Sequence, residues 1–330
     1  MGDELQEAAA GGGPDGDGVV VLAEPRGFCA GVRRAIGVVE RALDRHGPPV
    51  YVRKEIVHNA HVVSVLRRRG AVFVDSEEEV PPGSVCVFSA HGVSPAVRRT
   101  AAGRELQVID ATCPLVSKVH QEARRFARAG RTLLLIGHAD HEEVEGTRGE
   151  APERTIVVES EEAAERLDLP VDTPLAYLTQ TTLSVDETEG VVRALRRRFP
   201  DLVGPASDDI CYASQNRQDA VKELARRTDL VLVVGSPNSS NSIRMVEVAE
   251  LAGTPAHLLP DVSHLDERWF AGVGAVGLSA GASAPEVLVE EVLDRLRDMG
   301  YGKVQMATVA TEDVVFSLPP AVADLRGGGT

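Results

Sequence analysis

Leu230-Val231-Leu232-Val233-Val234-Gly235-Ser236-Pro237-Asn238-Ser239-Ser240-Asn241 sets the pattern of the chain: an unbroken apolar run, then a polar loop. Such a run, short and rich in β-branched residues, fits a strand buried on both faces. The pattern recurs. Val19–Leu22 leads into Pro25-Arg26-Gly27-Phe28-Cys29-Ala30-Gly31, and Val85–Phe88 into Ser89-Ala90-His91-Gly92. Leu133–Ile136 leads into Gly137-His138-Ala139-Asp140-His141, Leu175–Leu178 into Thr179-Gln180-Thr181-Thr182, and Val276–Leu278 into Ser279–Ser283. Helical spacing follows: Val32 to Arg45 places Ile36, Val39 and Leu43 on one face and stops at Gly47-Pro48. Further helices are expected near Pro95, from Ser184 with Glu187 as a capping box, and from about Pro285. Strands alternating with helices predict an α/β fold with mostly parallel sheets. In such sheets ligands bind beyond the carboxyl ends of the strands, where this sequence gathers His, Ser, Thr and Asn.

At 330 residues the chain exceeds one ordinary core, so two or three units are expected. Its apolar content of 43% and charged content of 26% are those of a soluble globular protein. No apolar run is long enough to span a membrane. Residues 1–18 read as an acidic, Ala/Gly-rich tail without an export signal, which points to the cytoplasm. A formal charge of −15 disfavours nucleic acid and anionic membranes as partners, and any phosphate site must rely on local donors. The string Gly272-Val273-Gly274-Ala275-Val276-Gly277 runs into an apolar run instead of following one and opening a helix, so it is no dinucleotide fingerprint, and no Gly-Lys-Ser/Thr phosphate loop occurs; a nicotinamide or nucleotide cofactor is unsupported.

The four cysteines are not equivalent. Cys86 lies inside the apolar run Val85-Cys86-Val87-Phe88 and reads as a buried strand residue. Cys29, Cys113 and Cys211 each stand in a polar loop just ahead of a helical pattern. Cys113 follows Cys29 by 84 residues and Cys211 follows Cys113 by 98, intervals that each suit one small α/β unit. The chain therefore reads as three related units, an architectural rather than a sequence repeat. Paired Cys-x-x-Cys motifs of a structural zinc site are absent. A cubane cluster on three thiolates, with one iron left open, is one reading. Three unrelated buried thiols is the other.

Three cysteine segments, Pro25–Val32, Asp110-Ala111-Thr112-Cys113-Pro114-Leu115-Val116 and Asp208-Asp209-Ile210-Cys211-Tyr212-Ala213, resemble the 4-hydroxy-3-methylbut-2-enyl diphosphate reductase family, of LytB type. In the family's order follow Val57-His58-Asn59, Ser89–Val93, His141–Gly146, Thr179–Ser184, Asn238–Ser242 and Ala280–Pro285. The resemblance covers Val19 to Ser317. It implies a trefoil of three α/β units around a central cavity: residues 30–112, residues 113–210, and residues 19–29 with 211–317, followed by a tail at 318–330. It also implies one 4Fe-4S cluster on Cys29, Cys113 and Cys211, with ferredoxin or flavodoxin as the electron donor. The implied reaction removes the allylic hydroxyl of the diphosphate substrate to give isopentenyl and dimethylallyl diphosphate. Glu143 looks like the proton source and Thr181 like the hydroxyl that orders the substrate oxygen. His58, His91, His141, Thr182, Ser239, Ser240, Asn241 and Ser283 look like diphosphate contacts, the serines and Asn241 with help from a helix N-terminus. His46, His61, His120, His138 and His264 are read as packing or surface residues.

Two positions depart from the family's pattern. Position 142 is Glu where proline is frequent, which either raises the pKa of Glu143 or faces solvent. Position 237 is Pro where a basic residue is common, which removes a long-range attraction for diphosphate. Rival readings are a quinolinate synthase-like cluster enzyme and a non-catalytic iron–sulfur redox sensor. The Glu143 and Thr181 motifs argue against the first, and the acidic charge argues against a DNA-binding form of the second.

Overall fold

A computed structural model of the chain describes residues 18–323. The tail read at 1–18 lies almost wholly outside the described residues. The chain enters with β1 (Val19–Glu24) and turns at Cys29 into α1 (Ala30–His46). Four strands follow: β2 (Val50–Arg53), β3 (Ala71–Val74), β4 (Val85–Phe88) and β5 (Gln107–Asp110). They alternate with α2 (Ala60–Arg68) and α3 (Pro95–Gly103), and form a sheet in the order β3-β2-β4-β5. A second run comprises α4 (Pro114–Arg128), β6 (Thr132–Ile136), α5 (Glu142–Arg148), β7 (Thr155–Val158), α6 (Glu161–Glu165), β8 (Leu175–Thr179) and α7 (Val185–Arg198). Its sheet has the order β7-β6-β8. The last run is α8 (Tyr212–Arg227), β9 (Leu230–Val234), α9 (Ser240–Leu251), β10 (Ala256–Leu259), β11 (Ala275–Ala280), α10 (Glu286–Asp298) and β12 (Lys303–Thr308). With β1 these strands form a sheet in the order β10-β9-β11-β1-β12.

Every pairing of these strands is parallel. Each sheet lies between two apolar layers, which explains the continuous apolar runs: a strand with both faces buried has no polar face to alternate. Cys86 is fully buried in β4 among Val80, Phe88, Val93 and Val97, and burial, with Glu77 adding to it, pushes its thiol up to about 12. It is the strand residue expected. No helix among the described residues is long and apolar enough to cross a membrane.

The units are joined in a cycle, and the cysteines are the joints. The amide of Cys113, at the head of the second unit, donates to Ala90 O after β4 of the first at 3.0 Å. That of Cys211 donates to Thr181 O after β8 of the second at 3.0 Å, and that of Cys29 to Ala282 O after β11 of the third at 3.2 Å. The residue following each acceptor is His91, Thr182 or Ser283. One backbone device used three times thus brings three thiols and three polar side chains to a common centre. This is the architectural repeat, legible in backbone rather than in side chains.

Two local expectations need correction. Ser184 caps α7 by accepting the Glu187 N–H at 3.5 Å, but the capping box is only half made. The Glu187 carboxylate is drawn instead to Arg244, 2.9 Å away. The described part of the segment read as a tail, residues 318–323, packs: Leu318 lies against α1 and Val322 is 3% exposed in the first unit's core. Arg34 donates to Ser317 O and Arg45 to Ala321 O, so the strap is held by its backbone carbonyls.

Candidate active site

Cys29, Cys113 and Cys211 all line one cavity, which has a volume of about 100 Å³ and draws residues from all three units. Each cysteine has extended backbone and stands at the N-cap of a long helix, α1, α4 or α8. Free N–H groups therefore point toward the thiols: Val32 N–H donates to Cys29 Sγ at 3.4 Å and Ser214 N–H to Cys211 Sγ at 3.3 Å. Pro114 begins α4 at a position where no amide hydrogen is needed. A Cβ on Gly31 would lie 2.8 Å from Cys113 Sγ and 3.7 Å from Cys29 Sγ. Only a glycine leaves both sulfurs free to face the centre.

Burial pushes the Cys113 thiol up to about 12, and the other two thiols add to it. Cys211 is pushed up to about 11, again by burial first and then by Cys29. Cys113 and Cys211, close together and desolvated, resist ionisation unless a cation arrives to compensate them. That donor set fits a thiolate-bound metal centre and has no use as isolated packing thiols.

Across the cavity, Glu143 is 2% exposed in the first turn of α5. Its Oε1 accepts the Thr181 N–H at 2.7 Å, and its Oε2 lies 3.0 Å from Thr181 Oγ1. Burial lifts its pKa to about 7 against the two Thr181 hydrogen bonds, which pull the other way. The carboxyl can hold a proton near neutrality and part with it.

The third wall is imidazole. His58 and His91 stack with centroids 4.1 Å apart, and His141 meets them edge-on at 5.6 and 5.8 Å. His141 caps α5, its Nδ1 accepting the Glu143 N–H at 3.1 Å. A ring nitrogen that accepts carries no proton, so the neutral ring keeps its hydrogen on Nε2. Burial, then His91 and His58, press the His141 pKa down to about 3, so it serves as a neutral donor.

Ser239 caps α9, accepting the Ser242 N–H at 3.4 Å. Ser240 Oγ lies 3.1 Å from both Thr182 Oγ1 and Gln180 Nε2. Asn241 accepts the Ala282 N–H at 2.8 Å, and Ser283 donates to His58 O at 2.9 Å. All thirteen residues singled out from the sequence line this cavity.

Sequence reading missed several neighbours. Gln180, quoted only as part of a motif, accepts the His138 N–H at 3.1 Å and ties Thr182 to Ser240. Ser214, three residues after Cys211, lies 3.1 Å from its sulfur; that N-cap spacing was the available signal. Tyr212 and Phe316 complete the lining, Phe316 from the C-terminal strap. Arg217 is fully buried and donates to Gly27 O at 3.1 Å and to Glu312 at 2.9 Å, bracing the Cys29 loop against that strap. Of the histidines set aside, His138 lies at an outer mouth beside Arg244, their nitrogens 2.9 Å apart, and His120 pairs with Glu150 at 2.8 Å.

The two departures resolve differently from the expectation. Glu142 neither raises Glu143 nor simply faces solvent: its Oε2 lies 3.0 Å from His91 Nδ1. Consecutive helical residues point about 100° apart, so the two carboxylates serve different walls. Pro237 is at the outer mouth, but Arg244 supplies a cation to the same mouth.

Residues 20–297 match the family model described as LytB protein. The chain belongs to the LytB family. Among its relatives, the 4-hydroxy-3-methylbut-2-enyl diphosphate reductase of Nocardia farcinica is 60% identical over 93% of this chain and 92% of its own. That of Tropheryma whipplei is 57% identical over 93% and 98%. The solved structure of the E-1-hydroxy-2-methyl-but-2-enyl-4-diphosphate reductase from Plasmodium falciparum superposes with a TM-score of 0.90 at 39% identity, covering 93% of this chain and 97% of that one. The LytB likeness thus extends through all three sheets.

Proposed function

We infer that this LytB chain is a reductase that converts 4-hydroxy-3-methylbut-2-enyl diphosphate to isopentenyl and dimethylallyl diphosphate. Two electrons and two protons enter, and the allylic hydroxyl leaves as water. The observation that carries this reading is one cavity lined by three thiols, a protonatable carboxyl and a wall of imidazoles and hydroxyls. Cys29, Cys113 and Cys211 would hold one 4Fe-4S cluster; the Gly31 gap between two sulfurs and the raised thiol pKa values support that fit. When bound, the cluster supplies electrons and a Lewis-acidic iron with an open position.

The chain's own residues do the rest. Hydroxide is a poor leaving group and departs more readily once protonated, and Glu143 holds the proton for it. Thr181 orients that carboxyl through N–H and O–H and would set its hydroxyl beside the departing oxygen. The neutral His141 Nε2–H, with His58, His91, Thr182, Ser239, Ser240, Asn241 and Ser283, would receive the diphosphate. Ser240 to Leu251 adds the free amides of a helix start. Val57, Val116 and Phe316 line the same cavity and would face the apolar part of the substrate.

The three units at 30–112, 113–210 and 19–29 with 211–317 would work as one enclosure in the cytoplasm, fed by a ferredoxin or flavodoxin. The relatives give no support to the quinolinate synthase-like or sensor readings. The test is turnover: cluster-loaded protein kept from oxygen, given a chemical reductant, should consume the hydroxylated diphosphate and release both isomers. Loaded protein that leaves the substrate untouched rules the assignment out.

A further inference from the structure

Behind the imidazole wall stand two carboxylates that no step above uses. His91 faces the inner cavity, whereas Glu142 faces the outer mouth, so the carboxylate backs the ring on the side away from the cavity. Its Oε2 is 3.0 Å from His91 Nδ1, with Ser89 Oγ 3.4 Å from the same nitrogen. The neighbouring ring repeats the arrangement: Glu55 Oε2 lies 3.4 Å from His58 Nδ1 and accepts from Asn238 at 2.9 Å. His58 and His91 stack at 4.1 Å, so charging both would set two cations face to face. One carboxylate per ring removes that obstacle.

We propose that Glu142 is a positioning residue for the diphosphate: it accepts the Nδ1–H of His91, so that this imidazole takes up a proton and meets the phosphate oxygens as a cation. The inference rests on the reading of this cavity as a diphosphate site. It divides the three imidazoles by role. His141, committed to the Glu143 amide through Nδ1, remains a neutral donor. His91, with the Glu142 carboxylate behind it, is the ring placed to carry charge.

The groups facing His91 are His58 and Glu55 from the first unit and His141 and Glu142 from α5, with Lys54 and His138 acting one step further out on Glu142 and His141. Burial and then His58 hold the free His91 below the ordinary imidazole range, while Glu142 opposes them. Glu142 itself, raised by burial, is brought net below the usual carboxylate range by its His91 hydrogen bond, so it is ionised at neutrality. An arriving polyanion supplies the missing attraction and draws a proton from solvent onto the ring. Without the Glu142 charge the ring must be charged against burial and a neighbouring imidazole alone. Affinity then falls, and falls more steeply as pH rises.

The experiment is calorimetric titration of inorganic diphosphate into the cluster-loaded protein, repeated in buffers of different ionisation enthalpy to count protons. Unaltered protein should take up protons on binding. Glu142→Gln keeps a hydrogen-bonding group without the charge, and should bind about tenfold more weakly and take up fewer protons. Glu142→Asp should restore most of the uptake. Glu145→Gln, on the exposed side of α5, should match the unaltered protein. Cluster absorbance confirms that each variant is folded. Equal affinity and equal proton uptake in Glu142→Gln overturns the inference alone. Failure of the unaltered protein to bind diphosphate overturns the reading of the cavity, and this inference with it.

Discussion

At one end of the cavity three thiols face one another with burial and mutual repulsion holding Cys113 near 12 and Cys211 near 11. At the other end three imidazoles crowd within 5.8 Å, yet two of them already have a carboxylate in place. The sulfur end is built from helix starts, and the proposed metal centre would supply its compensating charge. The imidazole end is built from loops and carries its own counter-charges, Glu142 beside His91 and Glu55 beside His58. Under the proposed function, this difference would let one cavity hold a fixed inorganic centre at its sulfur end and a transient anion at its imidazole end, each meeting a different electrostatic need.

The largest expected effect breaks the sulfur end. Cys113→Ser should lose the cluster's visible absorbance and all turnover, measured on protein reconstituted with iron and sulfide. A variant with the full spectrum would remove that ligand. Next comes the boundary between the ends. Glu143→Gln should keep the cluster while turnover drops by about 10²- to 10⁴-fold. An unchanged rate takes Glu143 out of the mechanism.

The same carboxyl sets a pH limit. Its pKa is raised to about 7, so the protonated donor is present below that value and lost above it. Turnover should fall about tenfold per pH unit on the alkaline side, and the limb attributable to Glu143 should vanish in Glu143→Gln. A flat profile through that range contradicts the assignment.

At the imidazole end, Ser240→Ala removes a hydroxyl shared by Gln180 and Thr182. About 1 kcal/mol of lost hydrogen bonding predicts a KM raised several-fold with the cluster spectrum intact. A spectrum that changes with KM would show that the two ends are not separable. Smallest is the control. Cys86→Ala should cost about 1 kcal/mol in denaturant unfolding and leave turnover alone, because its thiol is packed in a strand with no other sulfur facing it. A folded but inactive Cys86→Ala would mean that the wrong cysteine has been read as structural.

The three loop cysteines were legible in the sequence because a polar loop between an apolar run and a helix is a local signal; their unit-sized intervals left one shared centre and three unrelated thiols both open, and the family resemblance implied the first. The strands were legible for the same reason: burial on both faces writes an unbroken apolar run. The supporting residues were not. Glu142 meets His91 51 residues away, and Arg217 reaches Glu312 across 95. Nothing local distinguishes either from a surface charge. Glu187 shows the converse, since its local capping pattern is real but a distant Arg244 claims the carboxylate. Residues 318–323 read as a tail because their few apolar side chains, Leu318 and Val322, find a surface only once α1 is folded.

Whether three distant loops share one inorganic centre is tested most directly by iron and acid-labile sulfide analysis, with electron paramagnetic resonance, of anaerobically reconstituted protein beside the Cys29, Cys113 and Cys211 serine variants. One 4Fe-4S cluster per chain in the unaltered protein, and its loss or conversion in all three variants, is the expected result. An unperturbed cluster in any single variant contradicts it.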